Sequence, residues 1–166
     1  MKTFYSFSLL YFLFPTVAWS QPANDECVNA IMLPMEREFC TGNAGATNID
    51  ATGSFTDLAQ YDVCISEQDA IRDVWFSFVA LENSARVTVD GRIIGNERGS
   101  LREPQMTLYE GGCGGLMRDD ALVCKSPFEN VNGVNAILAN LTVGETYHIM
   151  IGASNGNQGT FELCVN

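Results

Sequence analysis

The sequence has little histidine and few basic residues. Of its 166 residues, His148 is the one histidine, and nine lysines and arginines stand against twenty aspartates and glutamates. Binding to nucleic acid or to anionic lipid depends on cationic side chains, so a formal net charge of −11 argues against both. Cations, sugars and other proteins are the partner classes that this composition favours.

Motifs of nucleotide binding and of nucleophilic catalysis are absent as well. The glycine-rich stretch LYEGGCGGL at 108–116 lacks the Lys-Ser/Thr pair of a phosphate loop, and no amphipathic helical pattern follows it. A nucleophilic Cys113 or a catalytic serine would need His148 as its base, and no G-x-S-x-G elbow accompanies it. We therefore predict that the protein is not an enzyme, with a small hydrolase that uses His148 as the weakest alternative.

A long apolar run occurs only at the N-terminus. Residues 1–20, MKTFYSFSLLYFLFPTVAWS, contain Lys2, an apolar run, and the small residues Ala18 and Ser20 at the positions that a signal peptidase reads. This pattern predicts a cleaved signal peptide and a secreted or cell-surface location. The mature chain, 21–166, is then expected to be a single domain with no membrane segment and a formal charge of about −12.

Six cysteines follow the predicted cleavage site, and none of them belongs to a C-x-x-C motif. An even number in an exported chain predicts three structural disulfides rather than a zinc site. Cys113 and Cys124 flank a short segment between two apolar runs, so this pair is predicted to close a hairpin-like turn. The other four cysteines leave two alternatives open, which are Cys40–Cys64 with Cys27–Cys164 and Cys27–Cys40 with Cys64–Cys164.

Short β-branched and aromatic runs, separated by Gly, Asn and Asp clusters, indicate an all-β domain. In residues 85–90, Val87 and Val89 alternate with polar residues, which predicts a strand with one face in the core. Residues 73–79 are apolar on both sides and are expected to be covered on both faces. We predict a two-sheet β-sandwich that is jelly-roll-like and stapled by disulfides. The predicted strands are 29–33, 73–79, 85–90, 105–109, 121–124, 135–141, 145–151 and 159–165, with an edge strand near 45–50.

Acidic loops provide candidate ligands for a cation. Calcium prefers carboxylate and carbonyl oxygens, and carboxylates come close in sequence at Asp69 with Asp73 and at Asp119 with Asp120. No EF-hand pattern organises them, so solvated acidic loops are the alternative. Asp73 has a further alternative, as an acceptor of backbone hydrogen bonds at the start of its strand. Calcium is the only cofactor for which the sequence offers candidate ligands.

Three aromatic residues are candidates for a binding surface. Sugar recognition requires a planar aromatic side chain on an exposed face with polar neighbours. Trp75 shares a strand face with Ser77, and Tyr61 and Tyr109 are expected in loops. We predict that Trp75, Tyr61 and Tyr109 contact a glycan or a protein, with packing in the core as the alternative.

Five stretches of the sequence occur in an order typical of one family of domains. They are NDECVNAIML at 24–33, DVWFSFVA at 73–80, TLYEGGCGGL at 107–116, ANLTVGETYHIMIG at 139–152 and GTFELCV at 159–165. Together they resemble a bacterial secreted module related to the pre-peptidase C-terminal domain. The resemblance implies a β-sandwich at the cell exterior that is itself not catalytic and is usually attached to secreted hydrolases, proteases or adhesins.

These observations predict a non-catalytic binding or adhesion module that recognises an extracellular polysaccharide or a surface protein. The alternative is a structural accessory or spacer domain for a secreted hydrolase or protease, with a calcium site.

Overall fold

The structure, a computed structural model, describes residues 20–54, 72–93, 95–114, 121–126 and 132–166. Within these ranges no helix is both long and apolar enough to cross a membrane. All of the predicted strands are present, and residues 1–19 of the predicted signal peptide lie outside the described residues. The strands are β1 (Ile31–Met32), β2 (Phe39–Cys40), β3 (Ala46–Thr47), β4 (Val74–Val79), β5 (Ser84–Asp90), β6 (Arg92–Ile93), β7 (Asn96–Glu97), β8 (Pro104–Glu110), β9 (Ala121–Lys125), β10 (Gly133–Ala139), β11 (Thr146–Ala153) and β12 (Thr160–Val165).

The strands form two main sheets. The first has the order β1-β4-β11-β8-β9, in which β1 runs parallel to β4 and the other neighbours are antiparallel. The second has the antiparallel order β10-β5-β12-β2, and β3 also pairs with β12. The prediction of an all-β, two-sheet sandwich is therefore confirmed.

The core lies between the two sheets, where the alternating apolar residues of each strand meet. Val87 and Val89 of β5 are fully buried, as the alternation predicts. Phe76 of β4 meets Phe161 of β12 edge to face across the sandwich, with ring centroids 6.2 Å apart. Contacts of this kind exclude water from both inner faces, and this burial is the main stabilising term for a sandwich.

The N-terminal segment covers the outer face of the first sheet. The backbone N–H of Trp75 donates to the carbonyl oxygen of Asn24, and the Asn24 side chain donates to the carbonyl oxygen of Trp75, both at 2.8 Å. Under this segment, Trp75, Tyr109 and Met150 form a second, smaller cluster of buried residues. The strand β4 is consequently buried on both faces, as its sequence predicts.

The segment between β5 and β8 contains the β6–β7 hairpin and packs against the second sheet. The chain passes so close to β12 at Gly99 that a Cβ atom there would lie 2.0 Å from the carbonyl oxygen of Thr160. Glycine is required at this position because any side chain would collide with the backbone of β12.

The disulfide pairing predicted from the sequence is wrong. Cys27 is bonded to Cys113 and Cys40 to Cys164, and Cys124 is also in a disulfide. Cys64 lies outside the described residues. The observed bonds contradict Cys113–Cys124 and both alternatives for the remaining four cysteines, namely Cys40–Cys64 with Cys27–Cys164 and Cys27–Cys40 with Cys64–Cys164.

The strand register explains why Cys113 and Cys124 do not pair. Cys113 lies beyond the end of β8, whereas Cys124 lies on β9 opposite Thr107, well back along β8. Antiparallel strands carry residues apart as the chain moves away from its turn, so the two cysteines that flank the turn diverge. Cys113 instead meets Cys27 in the 3-10 turn Cys27–Asn29, since the N-terminal segment crosses the outer face of the first sheet.

Candidate functional site

Trp75 and Tyr109 are not surface aromatics, and the prediction that they contact a ligand is wrong. Both side chains are fully buried, with ring centroids 5.7 Å apart. The indole N–H of Trp75 donates to the hydroxyl oxygen of Ser54 at 2.6 Å. These two residues pack beneath the N-terminal segment and hold it on the first sheet. The alternative that the sequence offered, a packing role in place of ligand contact, is therefore the correct one for both. Tyr61 lies outside the described residues.

Asp73 is a buried hydrogen-bond acceptor at the start of β4. Its side chain is fully buried, and its two carboxylate oxygens accept hydrogen bonds from the backbone N–H and the hydroxyl group of Ser54. Trp75, Ser54 and Asp73 thus form a chain of hydrogen bonds beneath the N-terminal segment. Of the predicted calcium ligands, Asp69, Asp119 and Asp120 lie outside the described residues, so a calcium site that includes them stays a prediction.

Asp25 belongs to the same polar region and was not identified from the sequence. Its carboxylate accepts hydrogen bonds from the backbone N–H and the hydroxyl group of Thr52, both at 2.6 Å. This links the N-terminal segment to the stretch that precedes β4. The sequence offers one signal for it, since Asp25 occurs in the NDEC motif of the family resemblance.

A cleft with a volume of about 410 Å³ opens at the end of the sandwich where β4 ends and β5 begins. Its walls come from the β1–β2 connection, the β4–β5 turn, β10 and the end of β12. The buried side chains of Leu33, Phe78 and Val165 contribute its apolar floor. Ile137, with 63% of its surface exposed, stands on its rim. Ligand pockets typically have volumes of roughly 300–1,000 Å³.

The rim of this cleft is charged. Arg37 and Glu82 form an ion pair across it at 2.9 Å, with both side chains largely exposed. Such an exposed pair adds little to stability, so both groups remain available to a ligand. The other charged side chains at the rim are Arg86, Glu36 and Glu38.

None of the aromatic side chains in the described ranges is exposed. Phe39 is half-buried against the core, and the other described aromatic residues are buried. Sugar rings in binding sites commonly stack on an exposed aromatic face, and the described residues provide none.

A second group of charged residues lies on the outer face of the second sheet. Arg98, from the segment that follows β7, is ion-paired with Glu162 and lies 3.9 Å from the carboxylate of Asp90. Burial raises the pKa of Asp90, the Arg98 charge lowers it, and the Glu162 charge raises it further, with a net increase. The guanidinium group neutralises part of this acidic pair, so the arrangement fastens the 91–104 segment to the sheet.

The variant Asp90→Asn is expected to remove a pH-dependent part of the free energy of unfolding. Because the pKa of Asp90 is raised in the folded chain, its contribution to stability is fully present below the ordinary value of 3.8. That contribution is lost as the pH rises through the folded-state pKa. Urea denaturation at a series of pH values is expected to show the stability of the wild type, relative to Asp90→Asn, falling between acidic and neutral pH. A difference that does not change with pH would contradict this.

His148 lies on β11, on the outer face of the first sheet. It is half-buried, opposite Ser77 on β4 and Tyr109 on β8. The Ser77 hydroxyl is buried and donates to the sulfur of Met32 at 3.6 Å, so it is not placed as a nucleophile beside the imidazole. One imidazole nitrogen lies within 4.8 Å of both sulfur atoms of the Cys27–Cys113 disulfide.

No family model and no curated protein matches the sequence. The structure is similar to the pre-peptidase C-terminal domain of a collagenase from Bacillus anthracis, with 10% sequence identity and a TM-score of 0.42. The matched region covers 82% of this chain and 94% of that chain.

Proposed function

We propose that the protein is a secreted, non-catalytic module that binds an extended segment of a surface protein in the cleft at the end of its sandwich. The observation that carries this proposal is the cleft itself, with an apolar floor and a charged rim. Of the two ligand classes that the sequence favours, we choose a protein segment, because the described residues include an apolar floor and exposed aliphatic side chains but no exposed aromatic side chain for a sugar.

The edge strand β1 leads into the cleft and supports binding of an extended chain. It is the outermost strand of the first sheet, and in the described part of the chain no strand pairs with its other edge. An unpaired edge can accept the backbone of a partner strand, while pockets take its alternate side chains. Exposed apolar side chains line this stretch before the cleft, and they are Val28, Ile31, Met32 and Met35.

The charge of the chain indicates which segment would bind best. The whole sequence carries a formal charge of −11, and three glutamates accompany two arginines at the rim of the cleft. Complementary charge speeds encounter and selects partners. We therefore expect a partner segment with alternating aliphatic side chains and flanking lysine or arginine.

The variant Ile137→Asp is expected to weaken binding more than tenfold. Loss of one aliphatic contact in an interface costs about 1.5–3 kcal/mol, and 1.4 kcal/mol corresponds to a factor of about ten in affinity. The measurement is selection of a phage-displayed library of random linear peptides on 21–166, followed by calorimetric titration of the selected peptides.

The matched control is Val143→Asp. Val143 is an aliphatic residue exposed to 62%, almost the same as Ile137, but it does not line the cleft. It is expected to leave peptide affinity unchanged. A library that yields no binding peptide, or peptides that lose affinity equally with both variants, would refute the cleft as the binding site.

A further inference from the structure

The Cys27–Cys113 disulfide and the single histidine of the chain come together on the outer face of the first sheet. Cys27 begins the 3-10 turn that crosses this face, Cys113 lies in the glycine-rich loop after β8, and His148 points from β11. One imidazole nitrogen lies within 4.8 Å of both sulfur atoms. Three segments that are distant in sequence thus place a nitrogen donor beside a disulfide.

The Nδ1 side of the imidazole is not engaged by any of the described residues. Its Nδ1 atom is buried and has no hydrogen-bond partner in the described part of the chain. Ser77 and Tyr109, its neighbours on β4 and β8, carry no charge at neutral pH. The nearest charged residues along these segments are Glu26, which precedes Cys27, and Glu110, which ends β8 and accepts a hydrogen bond from Tyr147.

The disulfide is also accessible. Cys27 and Cys113 are each half-buried, and a Cβ atom added at Gly111, Gly112 or Gly114 would meet nothing within 4 Å. No described atom fills the space at these three glycines, which flank Cys113.

The second described disulfide provides a contrast within the same molecule. Cys40 and Cys164 face each other in the β2–β12 ladder, where Cys40 is exposed and Cys164 is buried. A carboxylate oxygen of Glu162, not an imidazole, lies within 4.8 Å of these sulfur atoms. The Glu162 carboxylate is ion-paired with Arg98 and provides no N–H donor for a departing thiolate.

We propose that Cys27–Cys113 is a thiol-exchange site in which His148 assists the departing sulfur. An incoming thiolate attacks one sulfur atom and forms a mixed disulfide with it. The S–S bond breaks, and the other cysteine leaves with the electron pair as a thiolate, which an N–H group of the His148 ring stabilises by a hydrogen bond. A leaving thiol that is stabilised in this way departs faster. The ligand class is therefore a thiol, either a small one or a cysteine of another protein.

The proposal is tested on the folded, oxidised chain 21–166 with glutathione as the thiol. Exchange is stopped by acid, free thiols are alkylated, and peptide mass spectrometry follows each disulfide separately. We expect Cys27 or Cys113 to acquire glutathione about tenfold faster than Cys40 or Cys164. Equal rates at the two disulfides would overturn the proposal.

Variants of His148 separate its chemical role from simple exposure of the disulfide. His148→Leu is expected to slow exchange at Cys27–Cys113 about tenfold, with the rate at Cys40–Cys164 unchanged. His148→Gln keeps an N–H donor and is expected to restore part of the rate. Thr146→Val, two residues away on the same strand face, is the control and is expected to change neither rate.

Two outcomes of the variant series would count against the imidazole. One is an unchanged rate at Cys27–Cys113 in both His148 variants, and the other is an equal change at both disulfides. The cooperativity of thermal unfolding is recorded for each variant. If His148→Leu does not fold, the decision rests on His148→Gln. Its exchange rate at Cys27–Cys113 is expected to be lower than that of the wild type, and an unchanged rate would overturn the role of His148.

Discussion

Replacing Cys40 and Cys164 together by alanine is expected to lower the free energy of unfolding by about 4 kcal/mol. The two residues are 124 positions apart in the sequence, so their bond removes much of the freedom of the unfolded chain. They also join β2 to the last strand of the second sheet, directly opposite each other in the ladder. Urea denaturation of the oxidised protein measures the change.

The control is Cys27→Ala with Cys113→Ala, a pair separated by 86 positions. In the chain-entropy model the cost depends only on the logarithm of the loop length, so the two double variants are expected to differ by about 0.3 kcal/mol. A loss below about 1 kcal/mol for Cys40 and Cys164 would contradict the prediction, and it would mean that the unfolded chain is not restrained by this bond.

Replacing Asp73 by alanine is expected to lower the free energy of unfolding by about 3 kcal/mol. The variant removes a fully buried carboxylate and leaves the backbone N–H and the hydroxyl of the half-buried Ser54 without their acceptor. Because Ser54 also accepts the hydrogen bond of the Trp75 indole, the fluorescence of the protein should shift as well. Asp73→Asn, which keeps one carbonyl oxygen, is expected to lose less than Asp73→Ala.

The variant Asp73→Ala also tests whether Asp73 is a calcium ligand. If Asp73 acts as a hydrogen-bond acceptor, the loss of stability is equal with calcium and with a chelator. A loss that occurs only in the presence of calcium would show that its carboxylate binds the ion. The exposed variant Glu145→Ala is the control, and it is expected to change stability by less than about 0.5 kcal/mol under both conditions.

The strands could be predicted because their signal is local. In β5 the alternation of Val87 and Val89 with polar residues assigned the inner face correctly, since a strand side chain points to alternate sides whatever its partners are. The two-residue strands β2, β6 and β7 were missed. They are too short to show an alternation, and they exist only because neighbouring strands offer them hydrogen bonds.

The cysteine partners, and the identity of the segment that covers Trp75, could not be predicted in this way. The alternation of β4 placed Trp75 on the same strand face as Ser77. In the structure this is the outer face of the first sheet, and the N-terminal segment covers it. A candidate binding aromatic is thereby converted into a packing residue. The cleft could not be foreseen either, because its walls come from four separate parts of the chain.

The sequence by itself determined the class of fold, the positions of the main strands and the side of each strand that faces the core. These depend on residues within one strand length of each other. Only the tertiary structure decided which cysteines bond, that Asp73 and Trp75 belong to a buried hydrogen-bonded network, and that His148 lies beside a disulfide. Each of these depends on which distant segment crosses the outer face of a sheet, and the choice is made by packing of the whole chain.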